Sequence, residues 1–205
     1  MSTASVTTPL LTAEEFAQRP DPGYPEELVR GRIVPMSVPD RRHGQVCGHA
    51  YILIRSHVDA HDLGHVLCND SGVITERNPD SVRGADVAYY SYNRLPRGPL
   101  PRSYGPEVPE LVVEVRSKGD KWPKVLAKVV EYLDAGVAAV LVLDDERRVA
   151  QIFTADGTRF LGPDDELTIP EVLPGFAVPV RRFRLWRFQL QILEQNLEEV
   201  LQAYL

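Results

Sequence analysis

A chain of 205 residues, 43% apolar and 25% charged, has the length and composition of one soluble globular domain. Those proportions exclude a disordered chain, and no apolar run approaches the ~20 residues that a membrane-crossing helix needs. The formal charge of -6 argues against bulk attraction to nucleic acid, although residues 94–128 hold eight basic side chains against four acidic ones, a local basic patch.

Thr12 and Glu15 form a capping box for a short helix over residues 13–18, which Pro20 closes. Residues 27–34 read as two short strands that meet near Gly31. Val46, Ala50, Leu53, Ile54 and Val58 recur at three- and four-residue steps, predicting a helix over 43–60 with one inward face. Strands follow over 65–74 and 85–90, and five prolines mark residues 93–109 as a long loop. Residues 110–115, Glu-Leu-Val-Val-Glu-Val, form a nearly all-apolar run of the kind buried on both faces of a sheet. Pro123 in a first turn and Gly136 past the end bound a helix over 122–135. Residues 138–143 read as a second buried strand, 149–161 as a hairpin turning at Gly157, and Leu173-Pro-Gly-Phe176 as a loop. This alternation implies an α/β or α+β domain around a mixed central sheet flanked by helices.

A last amphipathic helix is expected over 184–204, within a C-terminal unit of residues 181–205. Its stripe of Trp186, Leu190, Leu193 and Leu197 calls for burial against the core or a partner, and a homodimer contact is preferred. The opening MSTASVTTPLLTAEEF lacks the basic start and apolar core of a secretory signal, so a cytoplasmic protein is expected. Cys47 and Cys68 have no CxxC spacing and read as buried free thiols of a reducing compartment.

Glu114 is the most informative residue, because it interrupts Leu111-Val112-Val113-x-Val115, where a bare carboxylate is strongly disfavoured by desolvation. Asp86 raises the same question inside Ala85-x-Val87-Ala88. Two strand carboxylates offer oxygen ligands suited to Mg2+ or Mn2+. Spacing alone leaves a second reading open, in which each is paired with an arginine or lysine. In the helix over 122–135, Trp122, Val125, Leu126, Val129, Val130, Tyr132 and Leu133 occupy one arc, with Lys121 and Lys124 opposite and Lys128 at the border. Lys128 either belongs to a solvated basic face or reaches over the sheet edge, to act on a water or stabilise phosphorane charge.

All five histidines fall within residues 43–65. His57 and His61 have the spacing of two ligands on one helix face, but no HExxH or cysteine pair accompanies them, so they read as helix-edge residues. His43, beside Arg41 and Arg42 at a helix start, reads as a capping residue or a phosphate contact.

The segments around Glu27, His43, Asp86-Val-Ala, Glu110-Leu-Val-Val-Glu-Val-x-Ser117 and Lys128-x-x-x-Tyr132-Leu-x-Ala-Gly-Val137 together resemble the Uma-type restriction-endonuclease family, within the PD-(D/E)XK nuclease-like superfamily. The resemblance spans roughly residues 10–180. It implies a restriction-endonuclease-like core over residues 1–180, with hydrolysis of DNA phosphodiesters assisted by Mg2+ or Mn2+. Asp86 and Glu114 would be metal ligands, with the Val115 carbonyl as a third, and Glu27 would complete the site. Lys128 would stand for a lysine that has moved from the strand to the following helix. Arg42, His43, Arg116, Lys121 and Lys124 would contact nucleic acid. Arg116 occupies the usual lysine position, and an always-protonated guanidinium cannot act as a base. That departure keeps a second function class in view: a catalytically silent nucleic-acid-binding or assembly module on the same fold. A purely protein-interacting role through the C-terminal stripe is a third.

Overall fold

The computed structural model describes residues 9–117 and 119–183. Helix α1 (Ala13–Ala17) carries the expected capping box: Glu15 N donates to Thr12 Oγ1 at 3.1 Å, and Thr12 N donates to the Glu15 carboxylate at 2.8 Å. Strands β1 (Glu26–Val29) and β2 (Arg32–Pro35) turn through Arg30 and Gly31, both in left-handed conformations. Helix α2 (Arg41–Ala60) starts two residues before the apolar periodicity predicts, because the Asp40 carboxylate accepts from the backbone of Arg42 and His43 at 3.0 and 2.9 Å. A long hairpin of β3 (Gly64–Glu76) and β4 (Ser81–Ser91) follows. Next come β5 (Leu111–Arg116), α3 (Trp122–Asp134) and β6 (Ala139–Asp144), a crossover joining two parallel strands. Strands β7 (Val149–Thr154) and β8 (Gly157–Leu161) extend the sheet antiparallel.

The Leu173-Pro-Gly-Phe176 loop expected from its composition is instead part of a strand. β9 (Glu166–Ile169) pairs with β10 (Leu173–Pro179), and a register shift between Leu173 and Ala177 accommodates Gly175 at a φ of 76°. A bulge absorbs the irregular residues without ending the pairing. A single 3-10 turn, Val180–Phe183, closes the described chain. The expected C-terminal helix lies outside the described residues. No helix among the described residues is long and apolar enough to cross a membrane.

The main sheet runs β2-β1-β4-β5-β6-β7-β8, with β3 also paired to β4. Its two faces are both covered. Leu111, Val113, Val115, Leu141 and Leu143 pack towards α2 and the β9–β10 hairpin, while Val112, Val140 and Val142 pack towards α3. Alternate side chains of β5 and β6 thus enter different cores, which is why both strands read as continuous apolar runs. The buried arc of α3 is narrower than expected: Val125, Val129 and Tyr132 are buried, but Leu126 and Val130 are 41% and 55% exposed. The cysteines also depart from expectation, Cys68 being exposed on β3 and Cys47 half-buried on α2.

Val82 pairs with Ile74 of β3 and with Leu28 of β1, so these neighbours lie on opposite edges of β4. Val87 likewise pairs with Cys68 of β3 and Val113 of β5. β1 and β5 therefore share one edge of β4 and leave residues 83–86 without a strand partner there. Leu28, fully buried among Ala13, Phe16, Ile74 and Val82, anchors β1 on one side of this gap. We predict that Leu28→Ala lowers unfolding stability in urea by about 2–5 kcal/mol. A loss well under 1 kcal/mol would contradict this packing.

Candidate active site

The gap in the β4 edge is filled by side chains. Gly84 N donates to Glu27 Oε1 at 3.1 Å, and Gly84 O accepts from Lys128 Nζ at 3.4 Å, with Tyr132 Oη also 3.4 Å away. Backbone groups that a strand would have satisfied are met by residues from β1 and α3. Gly84 is also closely approached: a Cβ there would stand 3.0 Å from Asp70 Cβ and 3.2 Å from Asp70 O, so a larger residue would need Asp70 to shift.

Around Gly84 the chemistry-bearing groups converge. Lys128 Nζ lies 2.9 Å from Glu27 Oε1 and 3.3 Å from Glu114 Oε2. Tyr132 Oη donates to Glu114 Oε1 at 2.9 Å. Arg83 donates to Glu27 Oε2 at 2.9 Å and forks onto Glu131 at 2.5 and 2.6 Å. Lys128 and Tyr132 stand four residues apart, so one helix face presents both to Glu114.

Asp86 adjoins this cluster from the α2 side. Its Oδ2 accepts from Val115 N at 2.6 Å, and its Oδ1 lies 3.0 Å from His43 Nε2. The β4–β5 ladder ends at the Val87–Val113 pair, and the following inward N–H of β5 bonds this carboxylate instead of the backbone. His43 Nδ1 lies 2.9 Å from Ser117 Oγ. Beside His43 opens a cavity of about 370 Å3, whose lining includes Arg42, Arg116, Ser117, Asp145 and Arg148.

Charge in the cluster is unbalanced. Burial pushes the Glu114 carboxyl up to about 7, with Asp86 and Glu27 adding to the shift and Lys128 and Tyr132 opposing it. Burial alone would lower the Lys128 ammonium, but Glu114 and Glu27 outweigh it and hold the group well above its usual range. With both carboxylates beside it and no ion bound, Lys128 is thus favoured as the ammonium. The bond to Asp86 raises His43 above the ordinary imidazole value, against the opposing effect of burial. The excess of buried carboxylate oxygen, with a glutamic acid retaining its proton near neutrality, fits a hard divalent cation.

The structure thus brings together four of the residues singled out from sequence, Glu27, Asp86, Glu114 and Lys128, and joins His43 to them through Asp86. It places others elsewhere. Arg116 pairs with the fully buried Asp144 at 3.1 Å and donates to Asp120 O, and Arg42 pairs with Asp145. Lys121 and Lys124 are exposed at the start of α3. His57 and His61 contact backbone carbonyls at the end of α2, in keeping with their reading as helix-edge groups, and His49 on α2 and His65 on β3 also contact backbone carbonyls.

Three participants escape sequence reasoning. Tyr132 passes for an apolar residue of the helix arc, although its place four residues after Lys128 is a signal. Arg83 gives none. Asp70 reaches the site because Asn69 and Asp70 both adopt left-handed φ, 65° and 54°, within a β3 bulge facing Gly84. The residue keeps an exposed surface, yet partial desolvation of the carboxyl and the nearby Asp86 raise its pKa. An Asn-Asp pair interrupting a strand pattern is the available signal.

The Uma2 family, described as "Putative restriction endonuclease", matches residues 13–181. The chain belongs to this family, as the sequence resemblance implied. Among solved structures, a protein described as a putative nuclease belonging to DUF820, from Anabaena variabilis, is similar at a TM-score of 0.74 and 17% identity. The similarity covers 84% of this chain and 97% of that one, and it establishes a shared fold. No curated protein matches the sequence.

An acid with a raised folded-state pKa binds more protons folded than unfolded. For Glu114, stability fully present below about 4.5 is lost as pH rises from about 4.5 to about 7. Urea unfolding of the metal-free protein across that interval should show this decline, and Glu114→Gln should flatten it. An unchanged slope in the variant would assign the proton elsewhere.

Proposed function

We propose that this chain is a divalent-metal-dependent nuclease that hydrolyses phosphodiester bonds in DNA. The observation that carries the reading is the placement of Lys128 Nζ 2.9 Å from Glu27 and 3.3 Å from Glu114, in a sheet-edge gap adjoining Asp86. Family membership supports the nuclease class, and the oxygen-rich donor set supports Mg2+ or Mn2+. Asp86, Glu114 and Glu27 would hold the ion, which when bound supplies Lewis acidity and lowers the pKa of a coordinated water.

The chain's own residues have separate tasks in this reading. Lys128, as an ammonium, stabilises negative charge developing on the phosphoryl oxygens. Tyr132 orients Glu114 through its hydroxyl, and Arg83 holds Glu27 in place. Lys121 and Lys124, exposed on the helix that carries Lys128, contact backbone phosphates flanking the scissile one. Arg42, His43 and Arg116 line the adjacent cavity, from which they would meet nucleic acid while keeping their carboxylate partners. Pairing of two copies through residues 184–205 is the accompanying proposal for assembly.

The engagement of Arg116 by Asp144 favours the second reading, a silent binding module, because it removes the motif-position cation from Glu114. Plasmid cleavage separates the two. With Mg2+ or Mn2+, the wild-type protein should nick or linearise DNA, Glu114→Gln should abolish this, and Lys128→Met should slow it by about 100-fold or more. Retained cleavage in Glu114→Gln would sink the site assignment, whereas salt-sensitive binding without cleavage would favour the silent module.

A further inference from the structure

The geometry points to a second metal site on the α2 side of Asp86, in which His43, Cys47 and Asp86 bind a borderline transition-metal ion such as Zn2+. This goes beyond the nuclease reading and shares only the ligand Asp86 with it. His43 and Cys47 stand one helical turn apart on α2, so both side chains project to the same side, towards β4. One ligand atom from each of the three residues lies within 4.8 Å of the others. Donors around a tetrahedral zinc ion lie roughly 3.5 Å apart, so small side-chain rotations suffice to close the set.

The surroundings already orient the donors. Val115 N holds Asp86 Oδ2 at 2.6 Å and leaves Oδ1 facing His43 Nε2 at 3.0 Å. Ser117 Oγ stands 2.9 Å from His43 Nδ1, placed to accept the Nδ1–H once an ion displaces the proton between Nε2 and Asp86. A hydrogen bond from the non-ligating ring nitrogen is the usual outer-shell support of a metal-bound histidine. Cys47 forms no disulfide and is half-buried.

The nitrogen, sulfur and oxygen set distinguishes this site from the cluster around Glu114. Thiolate and imidazole favour zinc-like ions, whereas Glu27 and Glu114 offer only oxygen to a hard cation. Binding is balanced by proton release: the proton between His43 Nε2 and Asp86 leaves to solvent, as does the thiol proton of Cys47. Three protein ligands leave one coordination position for water or a ligand oxygen, as in zinc sites that do chemistry. His43 and Ser117 line the neighbouring cavity, from which such a ligand enters.

Cobalt substitution tests the proposal without reference to cleavage. The full chain, stripped with chelator and kept reduced, is titrated with Co2+ and read by its thiolate-to-cobalt charge-transfer absorption. One equivalent should produce the band, and Zn2+ should bleach it. Cys47→Ser and Cys47→Ala should both lose the band while melting normally, and Cys68→Ser should retain it. Ser117→Ala should weaken Co2+ binding by about 10–100-fold. Absence of the band in the wild type, or its persistence in both Cys47 variants, overturns the proposal. Glu114→Gln should retain the band. A wild-type band lost on Cys47 substitution, without DNA cleavage, would refute the nuclease reading and leave this site standing.

Discussion

The ammonium of Lys128 ties four elements together: Glu27 comes from β1, Glu114 from β5, Gly84 from β4 and the lysine itself from α3. Each carboxylate would be expensive to bury alone, and the shared cation offsets that cost. The backbone makes the meeting possible. β1 leaves β4 after one pair and β5 joins it only at Val87–Tyr89, so residues 83–86 keep an open edge. Had the ladder run on, Gly84 would be paired to a strand, and the Glu27, Lys128 and Tyr132 head groups would have no room beside it. Asp86 depends on the same interruption, since its carboxylate takes the Val115 N–H that a continuous ladder would use.

Much of this arrangement is legible in the chain, because the relevant signals are local. The apolar runs around Glu114 and Val140 mark strands covered on both faces, and a carboxylate inside the first of them stands out by its desolvation cost alone. Lys128 is visible as a border residue of an amphipathic helix. What is not legible depends on long-range register. Arg116 looks free to reach a phosphate until the parallel pairing of β5 with β6 sets it opposite Asp144. Tyr132 looks like core, and it is fully buried, yet its hydroxyl serves Glu114. Leu173-Pro-Gly-Phe176 has loop composition, but a bulge carries the β9–β10 pairing across it.

The basic stretch of residues 94–128 shows how composition misleads about surface. Arg94 bonds carbonyl oxygens and pairs with Glu110, Arg97 pairs with Asp62, and Arg116 pairs with Asp144. Much of the apparent patch is spent on internal partners, leaving Lys121 and Lys124 exposed near the site. On a chain of formal charge -6, this implies few phosphate contacts and a shallow salt dependence of any DNA binding.

We propose that the open edge of β4 gathers carboxylates into a hard-cation site. Mn2+ binding, followed by the loss of the free-ion electron paramagnetic resonance signal, tests it most directly. The account predicts saturable binding by the wild-type chain that Glu114→Gln and Asp86→Asn each abolish and Cys47→Ser preserves. Mn2+ binding unchanged by both carboxylate substitutions would contradict it.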